Sequence, residues 1–227
     1  MDRRLGQEVL LRAREMAALM LWDIGAVKVN LDEPFRLVSG NYSPIYINCR
    51  LAISYPSVMK AFVASAGVIL EHNRTTVDVV AGGETAGIPF AAFLASSLSC
   101  PLIYVRKATK DHGLSSLVEG HLPADSVVLL VEDLITDAGS KLHFIEAIRA
   151  CGARVEDALV LLDREQGGEK SLSEHGVRLA SITDMSTLLR VAESERILPN
   201  AGIESIHEYL RDPRTWHSKH NLTFVGQ

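Results

Sequence analysis

The stretch VVLLVEDLITDAGSKLHFI, Val127 to Ile145, decides how this chain is read. Its opening residues are continuously apolar and Val-rich, the composition of a strand buried on both faces. The strand ends in two adjacent carboxylates, Glu132 and Asp133. Leu134 and Ile135 follow, then Thr136-Asp137-Ala138-Gly139-Ser140, after which Lys141, Phe144, Ile145 and Ile148 fall at helical spacing. Backbone N–H groups at a helix start lack internal partners and carry the positive end of the helix dipole, which makes a phosphate site. Two carboxylates at the rim can accept hydrogen bonds from a vicinal diol, so one short loop can hold both ends of a ribose 5-phosphate. On these residues alone a plainer alternative stays open: Asp137 or Ser140 caps the helix and the acids are solvated at a strand end.

Working outward, the same grammar repeats. VDVVAGG (Val77 to Gly83) reads as a buried strand entering a glycine turn, followed by the small-residue helix IPFAAFLASSL. PLIYV (Pro101 to Val105), VEDALVLLD (Val155 to Asp163) and VRLASI (Val177 to Ile182) supply further strands. Short apolar strands alternating with helices predict an α/β fold with a mostly parallel central sheet flanked by helices. Ligands of such sheets lie at the carboxyl ends of the strands. Ahead of this core, Val9, Leu10, Ala13, Met16, Ala17 and Met20 predict an amphipathic helix, and FRLVSGNYSPIYINCR (Phe35 to Arg50) reads as extended and turn-rich. Pro56 opens another helix, ending near His72 and Asn73. The expected organisation is a helix and hood element over residues 1–50, an α/β core over 51–190, and a helical tail over 191–227. The tail's helix is carried by Ile203, Ile206, His207 and Leu210, and the chain past Asp212 is expected to be loosely ordered.

Composition narrows the class. The 47% apolar and 22% charged content is that of a globular protein, and the net charge of −5 argues against general nucleic-acid binding. No apolar run is long enough to span a bilayer, and the N-terminus has neither the h-region nor the cleavage site of a secretory signal. Cys49, Cys100 and Cys151 are widely spaced, form no zinc pattern, and are expected to be reduced thiols of a cytoplasmic protein. Against this acidic background, Arg106, Lys107, Lys110 and His112 concentrate cations directly after the strand PLIYV, inside a charged, Gly- and Ser-containing stretch over 107–125. A long loop of this kind reads as a lid or a disordered segment, and the charge run taken alone reads as a solvated face.

Taken together these motifs resemble the type I phosphoribosyltransferases. The segment from Val127 to Ser140 is similar to that family's signature of apolar residues, two acids, two apolar residues, Thr and small residues. SGNYSPIYINCR, GGETAGIPFAA, YVRKATKDHG followed by EG, and LLDREQGG resemble, in the expected order, elements of the orotate branch. The resemblance implies transfer of the phosphoribosyl group of phosphoribosyl pyrophosphate to orotate, giving orotidine 5′-phosphate and pyrophosphate. It implies that Thr85, Ala86, Arg106, Lys107, Lys110, His112, Glu132, Asp133, Leu134, Ile135, Thr136, Asp137, Ala138, Gly139 and Ser140 surround the sugar phosphate and pyrophosphate. Lys110, His112 and Asp133 are the catalytic candidates. Ile45, Tyr46, Thr136 and Arg164 are expected at orotate, with the planar fork of Arg164 suited to its carboxylate. Magnesium is expected to arrive on the pyrophosphate, with no dedicated metal cage, and the resemblance implies a homodimer whose basic loop serves the neighbouring site.

The chain departs from the resembled pattern at four positions. Val38 and Ala86 stand where several members carry lysine. Ala138 replaces a glycine, so its Cβ is expected to crowd the phosphate or oppose a positive φ. Asp137 adds a negative side chain beside the phosphate, tolerable if it points away. Two other readings remain: a transferase for another base such as a purine, disfavoured by Arg164 and SPIYINCR, and a phosphoribosyl-sensing regulator, disfavoured by the basic lid and kept open by Ala138.

Overall fold

The computed structural model describes residues 3–37, 39–108 and 117–225. Its centre is a six-stranded sheet built from β5 (Val79–Gly83), β6 (Leu102–Val105), β7 (Val118–Glu119), β8 (Val127–Ile135), β9 (Arg154–Asp163) and β10 (Arg178–Asp184), in the order β10-β9-β8-β5-β6-β7. All neighbours are parallel except β6 and β7. Side chains alternate along β8: Leu129 and Val131 join one core cluster, Val128 and Leu130 the other. That two-sided burial is why the strand reads as a continuous apolar run.

One face is covered by α1 (Arg3–Asp23), α2 (Pro56–Asn73), α3 (Gly87–Leu98) and α6 (Met185–Ser194), the other by α4 (Gly139–Ala150) and α5 (Gly168–Glu174). Pro56 opens α2 at its first turn, where a missing N–H costs nothing. Asp184 caps α6 by accepting the Thr187 N–H at 2.7 Å. The segment ahead of α2 forms β1 (Val27–Val29), β2 (Phe35–Arg36), β3 (Tyr42–Ser43) and β4 (Ile45–Ile47), followed by a 3-10 turn at Cys49–Ser54. β1 pairs with β4 and β2 with β3, both antiparallel.

Two expectations are corrected. β8 runs on through Leu134 and Ile135, which pair with Leu162 and Asp163 of β9, so the two acids lie inside the strand. The tail past Asp212 is ordered. After α7 (Asn200–Arg211), α8 (Pro213–Lys219) begins with Asp212 accepting the Thr215 N–H and Pro213 in the first turn, and buries Trp216 and His217. Val225 then exchanges two hydrogen bonds with the Asn41 side chain, tying the tail to the hood. Among the described residues no helix is long and apolar enough to cross a membrane.

Candidate active site

The sheet order runs from β5 outward through β6 on one side and through β8 on the other, so the switch point lies between β5 and β8. Val131 is in register with Gly82, which brings Gly83 and Glu132 together at the carboxyl edge. A cleft of about 520 Å³ opens there. Its walls are the turn Glu84-Thr85-Ala86, the hood residues Tyr46, Ile47, Asn48 and Arg50, Lys107 after β6, and Glu132, Asp133, Leu134, Ser140 and Lys141. The Glu84–Thr85 peptide is cis. The Glu84 carboxylate accepts the Lys107 N–H at 2.7 Å, joining the two turns that flank the cleft.

The two acids face different neighbours. Asp133 is held from the hood side, with Arg50 Nε 3.7 Å from Oδ2, and its Oδ1 accepts its neighbour Leu134's N–H. Glu132 lies against α4, where Lys141 Nζ is 3.3 Å from Oε2. Burial pushes the Glu132 carboxyl up to about 7; Lys141 pulls it down and Asp133 adds to the rise. Gly83 and Gly87 are required here, because a Cβ on either would stand 2.1 or 2.4 Å from Glu132 Oε1. Cys49 lies beneath the hood, fully buried; burial first and the Asp133 charge second push its thiol far above the ordinary range, so it is no nucleophile.

A second hollow of about 350 Å³ lies on the other side of the β8–α4 loop. Thr136, Asp137, Arg164 and Gln166 line it from the sheet edge, Ser39 and Asn41 from the hood, and Tyr209, His217 and Phe224 from the tail. Arg164 makes no ion pair among the described residues: Asp163 accepts the Glu165 N–H, and Glu165 is held by Ser186. Its Nε is buried with no hydrogen-bond partner, and desolvation lowers the guanidinium pKa. His217 Nε2 accepts the Tyr42 N–H at 2.9 Å, and Nδ1 donates to the Pro213 carbonyl at 2.6 Å.

Most sequence-selected residues converge on these hollows, with definite exceptions. Thr85, Ala86, Lys107, Glu132, Asp133, Leu134, Ser140 and Tyr46 line the first, and Thr136, Asp137 and Arg164 the second. Ile45 is fully buried in the core and forms no cleft wall; Tyr46 and Ile47 take that place. Ile135 likewise turns into the core. Arg106 pairs with Glu119 across the β6–β7 edge, 3.3 Å away, and does not line the cleft. Lys110, His112 and Val38 lie outside the described residues.

Ala138 adopts φ 73°, the left-handed conformation that favours glycine, and its methyl is buried in the core cluster of Ile135 and Phe144. It therefore does not crowd the helix start. Asp137 does not point away: its Oδ1 accepts the Gly139 N–H at 3.1 Å, as the capping alternative required. Ile47, Asn48, Arg50, Glu84 and Lys141, and the tail residues Tyr209, His217 and Phe224, were not singled out from sequence. Lys141 carried a usable signal, since a cation in the first turn of a helix opposes the dipole.

A cleft at the switch point, two acids inside its central strand and a helix start beside them make up the candidate site, and a model of the phosphoribosyl transferase domain matches residues 57–186. The orotate phosphoribosyltransferase of Sinorhizobium fredii is 43% identical over 206 residues, covering 89% of each chain. The crystal structure of orotate phosphoribosyltransferase from Aeropyrum pernix is 34% identical with a TM-score of 0.66, over 77% of this chain and 97% of that one. The structure of Leishmania donovani UMP synthase is 26% identical with a TM-score of 0.76, over 86% of this chain and 42% of that longer one. The chain belongs to the orotate phosphoribosyltransferase family.

Proposed function

We propose that this protein transfers the phosphoribosyl group of phosphoribosyl pyrophosphate to orotate, releasing pyrophosphate and orotidine 5′-phosphate in pyrimidine nucleotide synthesis. The observation that carries the base assignment is Arg164. A guanidinium with a buried, unpartnered Nε and no internal ion pair, beside Thr136, is matched by a ligand carboxylate. Glu132 and Asp133 accept the sugar hydroxyls. The Thr85-Ala86 turn and Lys107 face the pyrophosphate, and Ser140 and the start of α4 face the 5-phosphate.

In this reading the bond from the sugar carbon to pyrophosphate breaks as the orotate ring nitrogen adds, and the site works by orientation and charge. Lys110 and His112, outside the described residues, are proposed to join Lys107 in stabilising the departing pyrophosphate. Among the described residues no three His, Cys, Asp or Glu side chains converge to hold a metal. Magnesium is proposed to travel on the pyrophosphate. A homodimer in the cytoplasm completes the proposal.

The test is direct. Purified protein with magnesium and phosphoribosyl pyrophosphate is expected to deplete orotate, followed as loss of its ultraviolet absorbance. Turnover of a purine in place of orotate would overturn the base assignment, and tight binding without turnover of any base would overturn the enzymatic one.

A further inference from the structure

Lys141 stands where helix electrostatics disfavour a cation. It occupies the first turn of α4, at the positive end of the dipole, and its side chain is only 11% exposed. A buried ammonium is retained there only against an anion. Its partners are Glu132 Oε2 at 3.3 Å and Ser140 Oγ at 3.4 Å. Glu132 is the more buried of the pair, 6% exposed. Its other oxygen, Oε1, has no hydrogen-bond partner and is wedged beneath Gly83 and Gly87. One oxygen is thus boxed by backbone, and the other, on the cleft side, is held by Lys141. The remaining charges about Glu132 are Asp133 on its own strand and Lys107 and Glu84 on the flanking turns, while Arg50 is turned to Asp133. Among the described residues Lys141 is the cation at ion-pair distance from Glu132.

We propose that Lys141 is a positioning residue for phosphoribosyl transfer, fixing Glu132 as a charged acceptor for the sugar hydroxyls without itself touching substrate. The inference rests on the functional reading above. Its logic is that a carboxylate taking hydrogen bonds from a diol must be ionised, while burial at this place favours the neutral acid. The neighbouring ammonium offsets that preference and orients Oε2, whose remaining lone pair takes the hydroxyl, while Oε1 stays enclosed by the two glycines.

The experiment compares kcat/KM for phosphoribosyl pyrophosphate from pH 5.5 to 9.5 in wild type, Lys141→Met, Lys141→Arg and Glu132→Gln. Dissociation constants for the same ligand are read by calorimetry where turnover is lost. Wild type is expected to rise through an acidic limb near 7. In Lys141→Met that limb moves alkaline by about 1–3 pH units, so activity at pH 7 falls roughly tenfold or more and recovers at high pH. Lys141→Arg restores the limb. In Glu132→Gln the limb disappears, and adding Lys141→Met changes ligand binding little.

A limb that stays in place in Lys141→Met overturns the proposal. So does an equal loss of binding when Lys141→Met is added to Glu132→Gln, because the lysine would then touch ligand directly. Lys141→Gln gives the same readout if the Met variant does not yield folded protein. Absence of orotate turnover in wild type would sink the functional reading instead, which keeps the two failures apart.

Discussion

Arg164→Met separates a residue held for ligand from one held for the fold. Arg164 follows β9 with most of its length buried, its Nε has no hydrogen-bond partner, and it joins no ion pair among the described residues. Removing it therefore breaks no internal bond. A buried donor left unsatisfied costs about 1–3 kcal/mol, and Met keeps the apolar stem while deleting that donor. The folded state is expected to hold its stability or gain. For a chain of this length each 1 kcal/mol moves Tm by about 2–4 °C, so calorimetry resolves the sign.

Function is expected to move the other way. A hydrogen bond from a charged group contributes about 1.5–3 kcal/mol, which is roughly 10- to 150-fold in kcat/KM for orotate. The KM for phosphoribosyl pyrophosphate is expected to change little, since the loss falls on the base side of the site. Orotate depletion followed by absorbance and a thermal scan on the same preparation give both numbers. The reasoning is refuted by a Tm drop beyond about 4 °C, which would make Arg164 structural. It is equally refuted by an orotate kcat/KM within about threefold of wild type, a difference of under about 1 kcal/mol.

Three further outcomes are expected. Ala138→Gly relieves a left-handed alanine, about 1 kcal/mol, but exposes the space of a buried methyl, about 0.8 kcal/mol, so urea denaturation should place it within about 1 kcal/mol of wild type; a loss above about 2 kcal/mol contradicts this. Glu132 binds its proton more tightly folded than unfolded, so its contribution to stability is full below about 4.5 and declines as pH rises to about 7. The decline is about 3 kcal/mol, and Glu132→Gln with Lys141→Met should remove that slope; identical slopes would refute it. Trp216→Ala empties a fully buried site between α8 and α7 and is expected to cost about 3–5 kcal/mol with a rise in orotate KM, whereas a cost under about 1 kcal/mol would show the tail to be dispensable.

The sheet was legible because its strands are buried on both faces: runs such as Val127–Val131 and Ala158–Leu162 are short, rich in Val and Leu, and separated by helical stretches. The two acids of β8 were legible as charges interrupting such a run. The side chains of Ile45, Ile135 and Arg106 lie off the hollows because side-chain direction within a strand depends on register and pairing, which spacing does not encode. The helical tail was expected, but the order past Asp212 was missed because α8 is short and polar in sequence. Its order comes from the Asp212–Pro213 start and from long-range contacts, Trp216 to Ser205 and His217 to Tyr42. Lys141 was read as an ordinary helix position because its significance lies in Glu132, on a different element.

Local rules are broken at several places in the described residues, three of them at the edge where the two hollows open. Asp184 and Asp212, away from that edge, cap their helices in the ordinary way. At the edge, Glu132 Oε1 and Arg164 Nε are two of the four unpartnered buried polar atoms among the described side chains, and Ala138 sits at φ 73°. Arg164 Nε lies beside the second hollow, Glu132 Oε1 is enclosed beneath Gly83 and Gly87, and the Ala138 methyl packs into the core. Asp137 lies at the same edge, its Oδ1 accepting the Gly139 N–H at the start of α4, and Ala138 beside it holds its methyl in the core.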